Sequence, residues 1–231
     1  MDAINGFELV DEQAHFIICN KAPDVNFHDE GTLGSGLFNQ IKLRLKQDEL
    51  YPVHRLDKMT SGLIIFAKTK TAAQQFQRIF CSHELEKFYI AISDQKPKKK
   101  QGLIKGDMAK SRRGSWKLLR SQENPAISQF FSYSIGDGQR LYLIKPHSGK
   151  THQIRVALSS IGAAIIGDRI YHSQSNVDRG YLHAYALKFT LDDQTYQYLL
   201  PPTTGEHFLS TALRDELTKI GAPWQLNWPK V

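Results

Sequence analysis

Cysteine is scarce in this chain: Cys19 and Cys81 are the only two among 231 residues. They stand far apart in apolar contexts, with no CxxC pair and no Cys/His cluster. That spacing builds neither a disulfide framework nor a zinc site, and both thiols read as reduced and packed. Long apolar runs are missing too. No stretch reaches the about 18 apolar residues of a membrane-spanning helix, and no N-terminal signal is present, so a soluble cytoplasmic protein is expected. Negative charge is in deficit, with 23 Asp and Glu against 30 Lys and Arg, a net charge of +7. Such a surplus favours polyanionic partners, nucleic acid ahead of a membrane surface, because no basic amphipathic helix stands out.

What is there is an ordinary globular composition, 41% hydrophobic and 23% charged. The length suits one domain over residues 1–231 with a sizeable core. FELV (7–10) and HFIICNK (15–21) read as strands around a polar turn. Leu37, Ile41 and Leu45 recur at helical spacing and predict a helix over 36–47 with Ser35 as its cap. A strand over 63–67, a helix from near Thr71 and a strand over 86–93 follow. IGDG (135–138) has turn chemistry and predicts a hairpin over 127–146. THQIRVALSSIG (151–162) predicts a helix ending on Gly162. Residues 181–190 and 195–200 predict a strand pair, and a last helix over 210–220 closes on Gly221. Strands and helices mix without strict βαβ alternation, which predicts an α+β fold with a mostly antiparallel sheet.

Four places hold chemistry. In HRLDKMTSG (54–62), Asp57 crowds with His54 and Arg55 against an apolar strand. A carboxylate there serves as nucleophile, base or ligand, or merely caps a turn, with Arg55 as its surface partner. In SGKTHQIRVAL (148–158), Gly149 and Lys150 precede a helix whose free N–H groups suit a phosphate. Arg155 sits among Ile154, Val156 and Leu158, and an arginine so placed needs an anion. Asp168 in IGDRIY (166–171) is one acid that can supply it, or a capping residue. Tyr89 shares a strand face with Lys87 and Ala91, either as half-buried core or as a platform for a base. Lys96, Lys98, Lys99, Lys100, Lys105, Lys110, Arg112, Arg113 and Lys117 make a basic segment interrupted by Trp116. It is a solvated face or a groove for RNA backbone with an aromatic for stacking.

Taken in order, HRLDKMTSG, KFYIA, SGKTHQIRVAL, GAAIIGD and YLHA resemble the motifs of RluA-type pseudouridine synthases, from about Asn20 to about Leu200. The resemblance implies one catalytic domain with a central mixed sheet, flanking helices and a cleft between two halves. It implies a monomer that converts uridine to pseudouridine in ribosomal large-subunit RNA, tRNA or both, without metal or cofactor. Strand signals begin near residue 7, which leaves no segment for an S4-type RNA-binding domain. Position by position, Asp57 matches the essential aspartate, and Arg55 the arginine that fills the gap left by the flipped base. Tyr89 matches the tyrosine packed on that base, Arg155 the arginine paired with the aspartate, and Leu182 an apolar residue of the pocket. Lys98, Lys99, Lys100, Arg112, Arg113 and Lys150 are the expected contacts to RNA backbone. The sequence departs from the family pattern at Ser148, Lys150, Ala157, Ala164, His172 and Asp94, none of which is among the matched catalytic positions.

Burial disfavours a charged carboxylate and a close arginine favours it, so Arg155 is expected to keep Asp57 charged and oriented. A uridine inside folded RNA must leave its stack to reach such a pocket. Two rival functions compete with this one. A glycoside hydrolase needs a second carboxylate about 5–10 Å away, and only Asp168 is on offer, without a sugar-stacking cluster. A non-catalytic RNA-binding protein shares the basic surface but has no use for an intact HRLD and THQIR pair.

Overall fold

The apolar run Leu63–Ala67 lies at the middle of the molecule. In the computed structural model, which describes residues 6–174 and 176–231, it belongs to β4 (Ser61–Ala67), buried at all seven positions. A strand covered on both faces has no polar side to show, so its sequence is continuous rather than alternating. Around it run β1 (Phe7–Glu12), β2 (Phe16–Lys21), β3 (Tyr51–Pro52), β5 (Glu86–Ser93), β6 (Gln101–Gly106), β9 (Ala126–Ser134), β10 (Arg140–Pro146), β11 (Leu182–Leu191) and β12 (Gln194–Leu199). The sheet order is β1-β2-β4-β11-β5-β10-β9-β6, with β12 on β11 and β3 on β4. Every pairing is antiparallel except β4 with β11, where Ser61 faces His183 and Gly62 faces Ala184. The expected α+β fold with a mixed, mostly antiparallel sheet is the one observed. A separate hairpin, β7 (Met108–Lys110) with β8 (Trp116–Leu118), carries part of the basic segment.

The helices are α1 (Leu37–Arg44), α2 (Lys70–Cys81), α3 (Gln153–Ser160) and α4 (Thr211–Ile220). The Thr69 hydroxyl accepts from Ala72 N–H and starts α2, which buries Ala72 and Phe76. Ser210 does the same for α4, whose Leu213, Leu217 and Ile220 recur at helical spacing and face the core. Several boundaries differ from expectation, α1 ending at Arg44 and α3 at Ser160, and two of them have a clear cause. The cap of α1 is Gly36 and not Ser35, because the Asp29 carboxylate takes the N–H groups of Gly34 and Gly36. The helix predicted from Thr151 begins at Gln153, behind His152 in left-handed conformation. Cys19 is buried as expected, but Cys81 is exposed at the end of α2.

Gly62 shows why the strand opens as it does. Its φ is +106°, and a Cβ there would lie 2.3 Å from the Ala184 carbonyl oxygen. Only glycine lets β4 approach β11 this closely, at the point where both strands leave for the site.

Lys21 ends β2 fully buried, and its ammonium donates to the carbonyls of Ala22, Lys58 and Thr60 at 2.8, 2.9 and 2.8 Å. It ties β2 to the loop before β4. Burial pulls its pKa from 10.5 to about 7. Between those values the unfolded chain binds more protons at this lysine, so its contribution to stability rises with pH. Lys21→Met leaves three carbonyls without their donor, that of Thr60 buried, and is expected to cost roughly 1–3 kcal/mol of unfolding free energy near neutral pH. The deficit should widen from pH 7 to pH 9 in urea denaturation. A variant as stable as wild type at both would refute the clamp.

Candidate active site

The loop between β3 and β4 carries His54, Arg55 and Asp57, and the fold holds it from below. Leu56 and Met59 are buried beneath it. The Thr60 N–H donates to the Asp57 carbonyl at 3.0 Å, closing a turn, while Lys21 grips the carbonyls on either side of Met59. His54 accepts the Ile65 N–H at Nε2, and burial pulls its pKa to about 3, so it serves as a neutral acceptor. The backbone of Asp57 is thus fixed, and its side chain, 27% exposed, projects into a cleft.

Arg155 meets it from α3, whose residues from Gln153 to Leu158 are all buried. Its guanidinium forks onto Asp168, Nε to Oδ2 at 2.7 Å and Nη2 to Oδ1 at 2.8 Å. The remaining Nη1 reaches Asp57 Oδ2 at 3.2 Å. Asp168 is fully buried and also accepts the N–H groups of Ile170 and Tyr171. Gly167, at φ +77°, permits this turn, since a Cβ there would strike the Arg179 carbonyl at 2.0 Å. Burial works against the Arg155 cation, but Asp168 and then Asp57 outweigh it and hold its pKa above the ordinary value. Asp57 Oδ1 receives no hydrogen bond among the described residues, and the residue lines the cleft.

The cleft encloses about 650 Å³. Tyr89, Leu182, Ile154, Leu56, Val53 and Phe27 give it apolar walls. Burial, and next the Asp57 charge, push the Tyr89 phenol well above its ordinary pKa, so it stays neutral. His152 lies 3.1 Å from Tyr171 Oη, which also accepts the Trp116 N–H at 2.8 Å, so the β7–β8 hairpin is anchored beside the site. Burial and Arg155 lower the His152 pKa.

Asp57, Arg155, Tyr89 and Leu182 therefore come together, with Arg55 exposed at the rim and without an ion-pair partner among the described residues. Lys150 lines the same rim, but its ammonium is bonded to the Asn124 carbonyl. The phosphate site expected at the start of α3 is not built that way. The Lys150 N–H is taken by Gln153 Oε1, and the helix starts two residues later than predicted. Lys98, Lys99 and Lys100 are exposed on the β5–β6 loop and do not line the cleft, and Arg112 and Arg113 are exposed at the hairpin tip. Trp116 is half-buried, with the Lys110 ammonium 5.9 Å from its ring centroid, rather than open for stacking. Two lysines escaped the sequence reading as site residues: Lys21, whose signal is a cation ending an apolar strand, and Lys87, whose signal is its shared face with Tyr89.

A family model for RNA pseudouridylate synthase matches residues 15–160. The chain belongs to the RNA pseudouridine synthase family. It is 41% identical over 211 residues to an uncharacterized RNA pseudouridine synthase of Haemophilus influenzae, covering 91% of this chain and 94% of that protein. It is 32% identical to the dual-specificity RNA pseudouridine synthase RluA of Escherichia coli, covering 66% and 73%. The solved structure of human RNA pseudouridylate synthase domain containing 1 superposes with a TM-score of 0.73 at 22% identity. It covers 100% of this chain and 99% of that one, which supports the fold. The synthase is thus an isomerase of the RluA type.

Breaking a buried ion pair from one side leaves an uncompensated charge. In this synthase Arg155→Met and Asp168→Leu are each expected to lose about 3–5 kcal/mol of stability. The double variant removes both charges and should be closer to wild type than either single one. Urea denaturation of all four proteins checks the cycle, and additive losses would contradict the pairing.

Proposed function

We propose that Asp57 isomerises uridine to pseudouridine in large-subunit ribosomal RNA, tRNA or both. The observation that carries this reading is a single carboxylate, half open to an apolar cleft and held by an arginine that is itself locked on Asp168. The reaction breaks the bond from C1′ to N1 and forms one from C1′ to C5. The C5 proton is lost and N1 gains one, so the product has the atoms of the substrate. One carboxylate suffices, either by attacking C1′ or by removing a ribose proton. The detached uracil must turn without escaping, and a cleft with Tyr89 and Leu182 as apolar walls suits that task. The dual-specificity name of the Escherichia coli relative supports a site that accepts more than one RNA.

Reaching the pocket requires the uridine to leave its stack. Arg55, exposed at the rim, fills in this reading the space it vacates. Lys98, Lys99, Lys100, Arg112 and Arg113 supply sequence-blind phosphate contacts whose strength falls with salt. A glycoside hydrolase finds no support, because Asp168 is fully buried and bonded to Arg155.

Asp57→Asn keeps the shape of the side chain and removes its charge. Total RNA from a strain lacking the gene should be converted by the wild type and left at background by the variant, read by pseudouridine mapping. Near-full turnover by the variant would transfer support to a binding role. In binding titrations with the same RNA at several salt concentrations, replacing Lys98, Lys99 and Lys100 by Gln should flatten the salt dependence.

A further inference from the structure

Lys87 stands on β5 two residues before Tyr89, on the same face, and is 6% exposed. Its ammonium lies 4.1 Å from the centroid of the Phe80 ring. Among the described residues no carboxylate or hydrogen-bond acceptor meets it. The nearest acid in sequence, Glu86, is engaged by Lys145 at 2.5 Å and by Lys188 at 3.7 Å. A buried cation without an anion is costly to fold, and a ligand that supplies the anion explains its presence.

The surroundings fit an anion from the substrate strand. Lys87 lies where two hollows meet. One is the Asp57 cleft, and the other is a neighbouring hollow of about 600 Å³ that also contains His83, Lys145 and His147 together with Glu84 and Glu86, the last held by Lys145. Both are lined by Phe80, Lys87, Pro146, Ser148 and Gly149. A Cβ at Gly149 would lie 3.2 Å from the Phe80 ring and 3.9 Å from the Lys87 ammonium, so the missing side chain keeps the approach to that ammonium open. The Gly149 N–H donates to no acceptor among the described residues. A nucleotide turned into the cleft remains joined to its neighbours, and its phosphate must pass the mouth. Burial lowers the Lys87 pKa from 10.5 to about 8, which leaves the cation in the majority at neutral pH.

We propose that the Lys87 ammonium and the Gly149 N–H bind a phosphate adjoining the target uridine, and that the second hollow carries the strand onward from it. This inference rests on the function proposed above. Lys87 is then a substrate-binding residue that contributes to affinity more than to the chemical step.

The test is single-turnover conversion of total RNA from a strain lacking the gene, by wild type, Lys87→Met and Lys87→Arg. Lys87→Met should raise the half-saturating enzyme concentration by about tenfold or more, with a smaller loss of rate at saturation. The salt slope of binding should become shallower by about 0.7, the share of one phosphate contact to a single strand. Lys87→Arg should restore most of the affinity. The melting temperature of Lys87→Met should equal or exceed that of wild type, because an unpaired buried cation is gone. A Lys87→Met protein with wild-type half-saturation and salt slope would overturn the inference. So would one that melts lower and loses affinity and rate together, which marks a structural lysine. If the wild type converts no uridine, the proposed function fails and this inference falls with it. Conversion by wild type with an unaltered Lys87→Met refutes this inference alone.

Discussion

One guanidinium shared between two carboxylates is the contact on which the rest of the site depends. Asp168 is fully buried and has to be neutralised, so it takes the two-pronged bond from Arg155. Asp57 keeps partial contact with solvent and tolerates a single, longer one. The division has a chemical consequence. A carboxylate gripped as Asp168 is has no oxygen to offer, whereas Asp57 lines the cleft with one oxygen unbonded among the described residues. Two acids share one arginine, and the more weakly held of them is the one that lines the cleft.

Much of the fold exists to hold those three groups in one place. Helix α3 is short and buried along its length from Gln153 to Leu158, so Arg155 has little freedom to swing. The Asp168 turn uses Gly167, where any side chain would strike the Arg179 backbone. On the other side, the Asp57 loop is tied by Lys21 and capped by the close approach of Gly62 to β11. Ser61, beside that glycine, bonds His183 at 2.7 Å and accepts from Arg179 at 2.6 Å, while His183 meets the Leu200 carbonyl. Burial takes His183 to a pKa of about 3, so this network is neutral at its imidazole and locks the one parallel pairing of the sheet among the described residues.

The sequence made the sheet, the strand behind HRLD and the need of Arg155 for an anion legible, because each follows from a local pattern of apolar residues. The residues alone leave open which acid Arg155 meets and the family resemblance points to Asp57; it meets both, since Asp57 and Asp168 lie 98 and 13 residues away and only the folded chain brings both to it. The cap of α1 was misread because Asp29 reaches it from a preceding loop rather than from the adjacent position. The start of α3 was misread because His152 adopts a left-handed conformation that no neighbour announces. The basic run from Lys96 to Lys117 looked continuous. The fold divides it among an exposed loop, the edge strand β6 and the β7–β8 hairpin, and only the hairpin is anchored beside the cleft. Lys21 and Lys87 passed as ordinary strand residues, since the burial of a lysine is a property of what packs around it.

The central claim is that Asp168, out of reach of the RNA, sets the geometry of Asp57 through Arg155. Its most direct test is the single-turnover rate of Asp168→Asn against wild type at saturating enzyme, measured with the binding constant for the same RNA. Asparagine preserves the volume and loses the charge that orients Arg155. The structure predicts a large fall in the rate at saturation with little change in affinity. An unchanged rate at saturation would show that Arg155 positions Asp57 without Asp168, and would contradict the claim.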